Sequence, residues 1–118
     1  KEGKPAPENP KISGWKPEIH STGHRNPQGI ALNPKSGELW VAEMGPKGGD
    51  EINRIEAGKN YGWPTITYGE EYSGLTIGEG IGEKSGFEQP VYFWDPSVSP
   101  SGVDFYTGNI PEWKNNLT

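Results

Sequence analysis

The fold is decided by residues 29–55, GIALNPKSGELWVAEMGPKGGDEINRI, where three short apolar runs alternate with turn-forming residues. Residues 29–32 and 38–43 are predicted strands, and the Asn-Pro-Lys-Ser-Gly sequence between them supplies the residues of a hairpin turn. A third strand is predicted from residue 50, because glycines on both sides of that run leave no room for a helix. The stretch therefore predicts an antiparallel sheet of short strands.

The flanking sequence extends this all-β pattern. Further short strands are predicted at residues 18–23, 65–68, 91–94 and 102–106, with another beginning near the C-terminus, and no segment carries a long helical stripe. Residues 1–17 are proline-rich and predict an irregular arm, whereas the glycine-rich residues 61–86 predict a long loop. Together these features predict a loop-rich, antiparallel all-β architecture.

Two segments of the chain follow a similar plan. Residues 27–43, PQGIALNPKSGELWVAE, and residues 100–117, PSGVDFYTGNIPEWKNNL, each place Pro-x-Gly before an apolar strand, a polar turn and a tryptophan-containing return. Such repetition is typical of the blades of a propeller. We therefore predict a partial β-propeller, with one blade portion in residues 18–60, a loop in 61–86 and the start of the next blade in 87–118.

Composition excludes several classes of protein. The 118 residues include 18 glycines and 12 prolines but no cysteine, so disulfides, thiolate chemistry and cysteine-based metal sites are excluded. The net charge of −5 and the absence of a Lys/Arg cluster argue against a nucleic-acid surface. No apolar run is long enough to predict a membrane span.

The segment His-Arg-Asn-Pro-Gln-Gly contains a dense set of hydrogen-bonding side chains. Arg25, Asn26 and Gln28 offer a planar five-donor guanidinium and two amides within four positions. Such a set suits a planar, oxygen-rich anion, because carboxylates accept paired hydrogen bonds from arginine. The alternative is that Arg25 forms a surface ion pair and that the amides bond to loop backbone.

The glycine-rich bend that follows the second predicted strand could supply oxygen ligands. Gly45 and Pro46 have no polar side chains, so any ligand that they provide is a main-chain oxygen. Hard cations such as calcium bind carbonyl and carboxylate oxygens, and four acidic residues follow: Asp50, Glu51, Glu70 and Glu71. The alternative is a solvated acidic turn, since the spacing matches no EF-hand loop.

His20 and His24 are the two histidines and the candidate general bases. Ser21 and Thr22 lie beside them, but spacing alone gives no ground for an acid-oriented Ser–His pair. The alternative is that each histidine is a structural hydrogen-bonding residue of the loop.

The order of three blocks, GHRNPQGIALNP, GELWVAEMGPKGGDEIN and GKNYGWPTITYGEEYSG, closely resembles the PQQ-dependent sugar dehydrogenases, also called the glucose/sorbosone or aldose sugar dehydrogenase family. The resemblance continues through EQPVYFWDPSVSPSGVDFYTG, so it covers roughly residues 17–118. It implies a six-bladed β-propeller, a sugar substrate, a periplasmic or secreted location, and two cofactors, pyrroloquinoline quinone (PQQ) and Ca²⁺.

The resemblance also assigns roles to individual positions. It implies that PQQ is contacted by Arg25, Asn26 and Gln28. It implies that the cofactor-bound calcium is held by the main-chain oxygens of Gly45 and Pro46. In some members a second, structural calcium is bound, and the corresponding positions are Glu51, Tyr61 and Glu71.

The sequence departs from the family pattern in two respects. Met44 stands where many relatives have His or Gln before the Gly-Pro pair, so contacts to the cofactor are expected to differ locally. A six-bladed propeller needs on the order of 300 residues at about 40–50 per blade, and this chain can hold only about two blades. The resemblance places the general base upstream of this chain, so no catalytic residue is expected within it.

Three functions remain open at this stage. The first is that of a fragment of a PQQ sugar dehydrogenase, which supplies the cofactor platform, lacks the base and is inactive alone. The second is a non-catalytic, propeller-derived binding module, because fold does not fix function. The third is a piece that assembles with copies of itself through exposed blade edges.

Overall fold

The computed structural model describes residues 3–118 and is built on one antiparallel sheet. All neighbouring strands pair antiparallel in the sequential order β1-β2-β3-β4. The predicted all-β, antiparallel and loop-rich class is confirmed. The elements are β1 (Pro27–Leu32), β2 (Leu39–Glu43), β3 (Asp50–Ile55), β4 (Tyr92–Trp94) and a single 3₁₀ turn at Pro111–Trp113.

The hairpin of β1 and β2 forms as its turn residues predict. The side chain of Asn33 accepts hydrogen bonds from the main-chain N–H groups of Lys35 and Ser36, at 2.9 and 3.1 Å. Asparagine stabilises turns in this way because its short side chain mimics a backbone carbonyl. The pairing runs from Leu32↔Leu39 to Pro27↔Glu43, with an irregularity at the start of β1.

The two faces of the sheet are covered by different parts of the chain. On one face Val41 and Ile55 pack against Tyr61 from the long loop, and all three are buried. On the opposite face the ring of Trp40 meets that of Phe105 edge to face, with centroids 6.0 Å apart. The sheet therefore packs against the long loop on one face and against the C-terminal segment on the other. The two faces differ because successive side chains of β2 point to opposite sides of the sheet.

Two predicted strands are wrong or reduced to single bridges. Residues 65–68 form a turn, because the N–H groups of Thr65 and Ile66 donate to the carbonyl of Gly62 instead of to a neighbouring strand. In residues 18–23 Thr22 alone takes part in pairing, as an isolated bridge to Asn60. At residues 65–68 the apolar signal comes from a single side chain, that of Ile66, which is buried in the loop.

The C-terminal segment divides differently from our expectation. We expected residues 91–94 to begin the next blade, but β4 pairs with β3 and completes the first four-stranded sheet. The predicted strand at 102–106 is reduced to a bridge between Phe105 and Leu117, flanked by reciprocal main-chain bonds between Asp104 and Thr118 at 2.9 and 2.8 Å. The second copy of the repeated plan therefore begins a hairpin of its own.

Candidate cofactor and cation site

The fork loop (residues 24–28) and the Gly-Pro bend (residues 44–49) lie side by side at one edge of the sheet, the edge formed by the start of β1, the end of β2 and the start of β3. They meet because β1 begins where the antiparallel β2 ends, with Pro27 opposite Glu43. The N–H of Met44 donates to the carbonyl of Asn26 at 2.9 Å and ties the two segments together. The two sets of candidate residues that are separate in the sequence are therefore neighbours in the structure.

The Arg25 side chain reaches from the fork loop to the bend. Its Nη1 donates to the carbonyl oxygen of Gly45 at 2.8 Å and to that of Met44 at 3.2 Å. The guanidinium carbon lies 5.4 Å from the centre of the Trp63 ring, a cation–π distance. Arg25 forms no carboxylate ion pair among residues 3–118, which contradicts the surface ion-pair alternative.

The two amides of the fork loop contact each other. Gln28 Nε2 donates to Asn26 Oδ1 at 2.7 Å, and Asn26 Nδ2 lies 3.9 Å from the sulfur of Met44. Gln28 is exposed. The pair thus presents an ordered amide surface beside the arginine, and Met44 makes only a weak sulfur contact in place of a strong polar one.

His24 is held by two hydrogen bonds. Its Nε2 is 2.8 Å from Ser21 Oγ and its Nδ1 is 2.8 Å from Glu43 Oε2, while its ring stacks on Tyr61 with centroids 4.9 Å apart. An acid-oriented Ser–His pair therefore exists. The spacing gave no ground for it, because the acid comes from a distant part of the sequence, the end of β2. Both ring nitrogens are engaged, which supports a structural role for His24. The other histidine, His20, contacts Asn9 Oδ1 at 3.1 Å through Nδ1.

Two carboxylates meet at the same edge of the sheet. Glu43 and Glu51 are directly opposed in the pairing of β2 with β3. Burial is the main cause that raises the pKa of Glu51, to about 7, and the negative charge of Glu43 adds to the rise. The hydrogen bond from Asn53 Nδ2, at 3.0 Å, and the nearby His24 act in the opposite direction. A cation placed here would relieve an electrostatically unfavourable carboxylate.

Asp50 stabilises the bend from inside. Burial would raise the pKa of its fully buried carboxyl, but hydrogen bonds from Ser97, Ser99, Gly45 and Val98 outweigh burial and lower the pKa. These donors lie 2.6 to 2.8 Å from the two carboxylate oxygens. Asp50 therefore joins the bend to the segment after β4, and its oxygens are occupied by donors.

The bend requires glycine at residue 45. A Cβ on Gly45 would collide with the carbonyl oxygens of Gly48 and Gly49. Gly45 is buried, and its N–H is the group that donates to Asp50 at 2.8 Å. The tight fold of this bend therefore depends on the absence of a side chain at Gly45, because two main-chain oxygens occupy the space that a Cβ would need.

A small cavity of about 10 Å³ lies between the fork loop and the bend. This volume is at the lower limit for holding one water molecule or one small ion. It is lined by both opposed glutamates and by two glycines of the bend, Gly45 and Gly49. The candidate site residues in the lining, together with Glu43, are Arg25, Gly45, Glu51 and Tyr61.

Tyr61 can offer the cavity only its main-chain oxygen. Its hydroxyl donates to the carbonyl of Arg54 at 2.6 Å and accepts from the N–H of Glu56 at 2.8 Å. No hydrogen bond to the carbonyl of Tyr61, or to that of Pro46, forms among residues 3–118. Both carbonyls are therefore available as ligands, within the part of the chain that the structure describes.

The remaining acidic candidates lie away from the cavity. Glu71 is exposed and does not line it, and Glu70 forms an ion pair with Lys47 at 2.7 Å. Within residues 3–118 no group of three or more His, Cys, Asp or Glu side chains could hold a metal ion. A cation site in this segment would therefore have to draw on main-chain oxygens.

A larger cleft of about 820 Å³ opens beside the bend and has the size of a small-molecule site. Met44 and Pro46 form part of its wall, together with Tyr68 and Tyr72 from the long loop. Tyr72 is 75% exposed, so its ring is free to contact a ligand. Both tyrosines belong to the long loop predicted at residues 61–86, but the sequence did not identify them as cleft residues.

The large cleft and the fork loop do not coincide. Arg25, Asn26 and Gln28 are absent from the lining of the cleft, which reaches the candidate site through the bend. Size alone would favour the cleft, whereas the anion-binding donors are concentrated in the fork loop. We therefore place the candidate site at the bend, where the two regions adjoin.

Comparison with known proteins identifies relatives of the whole chain. The chain is 52% identical over 109 residues to aldose sugar dehydrogenase YliI of Escherichia coli, covering 91% of this chain and 29% of that protein. The apo-form structure of the soluble aldose sugar dehydrogenase from Escherichia coli is 50% identical, with a TM-score of 0.86, over 95% of this chain and 33% of that one. These relatives define a class of sugar-oxidising enzymes.

A third relative is known with its cofactor. The PQQ-bound form of aldose sugar dehydrogenase from Streptomyces coelicolor is 39% identical, with a TM-score of 0.65, over 87% of this chain and 26% of that one. The Glucose / Sorbosone dehydrogenase family matches residues 1–118, and the chain belongs to that family. The predicted resemblance is confirmed, as is a fragment of a propeller as its fold.

Two facts limit the segment itself. The chain spans less than a third of the Escherichia coli relative, at 29% of its length. Within residues 3–118 there is no helix with the length and apolar character needed to cross a membrane.

Proposed function

We propose that this chain supplies the PQQ- and calcium-binding platform of an aldose sugar dehydrogenase. The observation that carries the proposal is the convergence of the fork loop on the Gly-Pro bend, where Arg25 Nη1 lies 2.8 Å from the Gly45 carbonyl oxygen. An anion-binding side chain and main-chain cation ligands are then adjacent, as a cofactor bound together with its metal requires. Family membership supports the same conclusion.

The residues fit a calcium ion by their chemistry. Calcium prefers carboxylate and carbonyl oxygens in flexible geometry. Gly45 and Pro46 would hold the cofactor-bound ion through carbonyl oxygens. Glu51 and the Tyr61 carbonyl would hold a second ion at the small cavity, which both opposed glutamates line. Glu71 would join this second site only if the loop that carries it moved.

The fork loop fits a planar, oxygen-rich quinone. Arg25 would pair with oxygens of the cofactor and oppose negative charge on it, while Asn26 and Gln28 would fix its orientation in the plane. The bound quinone supplies the hydride acceptor for oxidation of the C1 hydroxyl of a sugar. The aromatic wall of the neighbouring cleft would exclude water from one side of this site.

No residue of this chain is proposed as the general base. His24 uses both ring nitrogens in bonds to Ser21 and Glu43, so neither is directed at a substrate. We assign the base to sequence outside residues 1–118. By the same family resemblance we propose a periplasmic or secreted location.

The test is titration of the chain with PQQ in the presence and absence of calcium, followed by glucose-dependent reduction of a dye. We expect saturable, calcium-dependent binding of PQQ without turnover. Folded protein that binds no PQQ would refute the platform. Turnover by this chain alone would refute the assignment of the base to other sequence.

Self-association is a second candidate function, and one observation favours it. Ile30 and Leu32 are 67% and 63% exposed on β1, an edge strand of the sheet. Exposed apolar residues on an edge strand favour pairing between chains. Sedimentation of the wild type and of the double variant Ile30→Ser, Leu32→Ser would test this: a concentration-dependent dimer that the variant abolishes is expected, and a monomer at every concentration refutes it.

A further inference from the structure

Glu43 occupies the junction of the fork loop and the bend. It is the last residue of β2 and is buried, with its side chain turned back onto the fork loop. Its Oε2 is hydrogen-bonded to His24 Nδ1 at 2.8 Å, and its Oε1 accepts from the main-chain N–H of Arg25 at 3.1 Å. One carboxylate thus fixes two consecutive residues of the loop that carries the anion-binding side chains.

The backbone that follows Glu43 is held by the same loop. Arg25 Nη1 donates to the carbonyls of Met44 and Gly45, and the N–H of Met44 donates to the carbonyl of Asn26. The Arg25 main chain and its guanidinium are therefore fixed by consecutive residues, 43 to 45. If the anchor of the Arg25 main chain were lost, the direction in which its side chain leaves the loop would no longer be set.

We propose that Glu43 is a positioning residue, which orients Arg25 towards the cofactor through the main-chain N–H of Arg25. This inference rests on the proposed function, because it concerns how the fork loop meets PQQ. Glu43 itself does not touch the cofactor in this proposal. It acts by holding the loop at a geometry in which the guanidinium and the bend face the same ligand.

The bond to Arg25 distinguishes this role from simple stabilisation by His24. The His24 ring is held by Ser21, Glu43 and stacking on Tyr61, so removing it disturbs packing but leaves the Glu43–Arg25 bond in place. Removing the Glu43 carboxylate disturbs both contacts. Two variants of comparable instability should therefore differ in their effect on the cofactor.

The experiment compares Glu43→Ala, Glu43→Gln and His24→Ala with the wild type. Hydrogen exchange of the Arg25 amide reports the anchor, and PQQ titration with calcium, at a temperature well below each melting transition, reports the site. Glu38→Ala is the matched control, since Glu38 is an exposed carboxylate that pairs with Arg54. Glu43→Gln is the conservative variant, because its amide oxygen can still accept the Arg25 N–H.

We expect Glu43→Ala to lose protection of the Arg25 amide and to weaken PQQ binding about tenfold, the effect of one charge-assisted hydrogen bond. Glu43→Gln should restore most of both, and His24→Ala and Glu38→Ala should keep the affinity. The inference is overturned if Glu43→Ala retains wild-type affinity, or if His24→Ala loses as much affinity as Glu43→Ala. It is also overturned if Glu43→Gln, when folded, shows no rescue.

The two failures are separable. A wild type that binds no PQQ refutes the proposed function, and the positioning role falls with it. A wild type that binds PQQ, together with unchanged binding by folded Glu43→Ala, refutes the positioning role alone. Where Glu43→Ala does not fold, comparison of Glu43→Gln with His24→Ala decides, because equal losses of affinity refute the role.

Discussion

Nη1 of Arg25 lies 2.8 Å from the carbonyl oxygen of Gly45. The two residues are twenty positions apart and belong to different predicted motifs, an anion-binding fork and a cation-binding bend. Their contact makes these motifs one unit, because the guanidinium donates to the same carbonyl oxygen that is proposed to bind calcium. The bend is rigid, since Gly45 also donates to the buried Asp50 at 2.8 Å.

Arg25→Ala should weaken PQQ binding by more than the ~1 kcal/mol of an exposed ion pair, because the guanidinium is held in the site and a paired bond to a carboxylate is lost. Isothermal titration or fluorescence titration measures the effect. Arg54→Ala is the control, since Arg54 pairs with the exposed Glu38 and Glu56. Equal affinities for wild type and Arg25→Ala would contradict the assigned role.

Asp50→Asn should destabilise the chain by about 2–4 kcal/mol, because the new amide must place N–H groups against donors that are buried. Urea unfolding measures the difference. Asp104→Asn is the control, because the side chain of exposed Asp104 accepts from the N–H of the adjacent Phe105. A loss below about 1 kcal/mol for Asp50→Asn would show that the bend is not secured by this carboxylate.

The lowered pKa of Asp50 predicts that the chain loses stability in acid. Its folded pKa lies below the unfolded value of 3.8, so its ionised form stabilises the fold above that value. This contribution should disappear as pH falls through the folded pKa. Unfolding free energies of wild type and Asp50→Asn should therefore converge in strong acid, and a constant difference between them would contradict this.

Glu51 predicts the opposite pH dependence in calcium-free protein. Its folded pKa of about 7 lies above the unfolded value of 4.5, so folding favours the neutral form. Its contribution is fully present below pH 4.5, declines as pH rises and is lost above about 7. Glu51→Gln should remove this decline, on the order of 3–4 kcal/mol at about 1.4 kcal/mol per pKa unit. Thermal melts from pH 4 to 8 in EDTA measure it; Glu71→Gln, at an exposed carboxylate, should retain the wild-type slope.

Calcium binding should separate the two acidic candidates. Glu51→Gln should reduce calcium affinity at neutral pH because an anionic ligand of the small cavity is lost. Glu71→Gln should change it little, since Glu71 is exposed and outside the cavity. Calcium titration followed by the rise in melting temperature distinguishes them. A larger loss for Glu71→Gln would place Glu71 among the ligands and require rearrangement of its loop.

The hairpin of β1 and β2 was predictable because its signals are local: two apolar runs and a turn whose Asn33 binds the next residues. The strand predicted at residues 65–68 was wrong because Ile66 is buried as a single side chain in a turn, which imitates alternation. Glu43 was not singled out at all. Its partners, His24 and Arg25, lie in the loop that precedes β1, whereas Glu43 ends β2. No rule of sequence spacing predicts that these residues meet.

The sequence by itself determined the chemistry that this segment can offer: an arginine with two amides, a bend whose oxygens are main-chain, and no cysteine. These properties follow from residue type and short-range backbone preference. The tertiary structure alone decided that β4 completes the first sheet. It also decided that hydrogen bonds from the bend and from the segment after β4 occupy the Asp50 carboxylate. It also decided that Glu43 holds the Arg25 main chain. Those relationships depend on strand register, which brings distant residues within hydrogen-bonding distance and which no local pattern encodes.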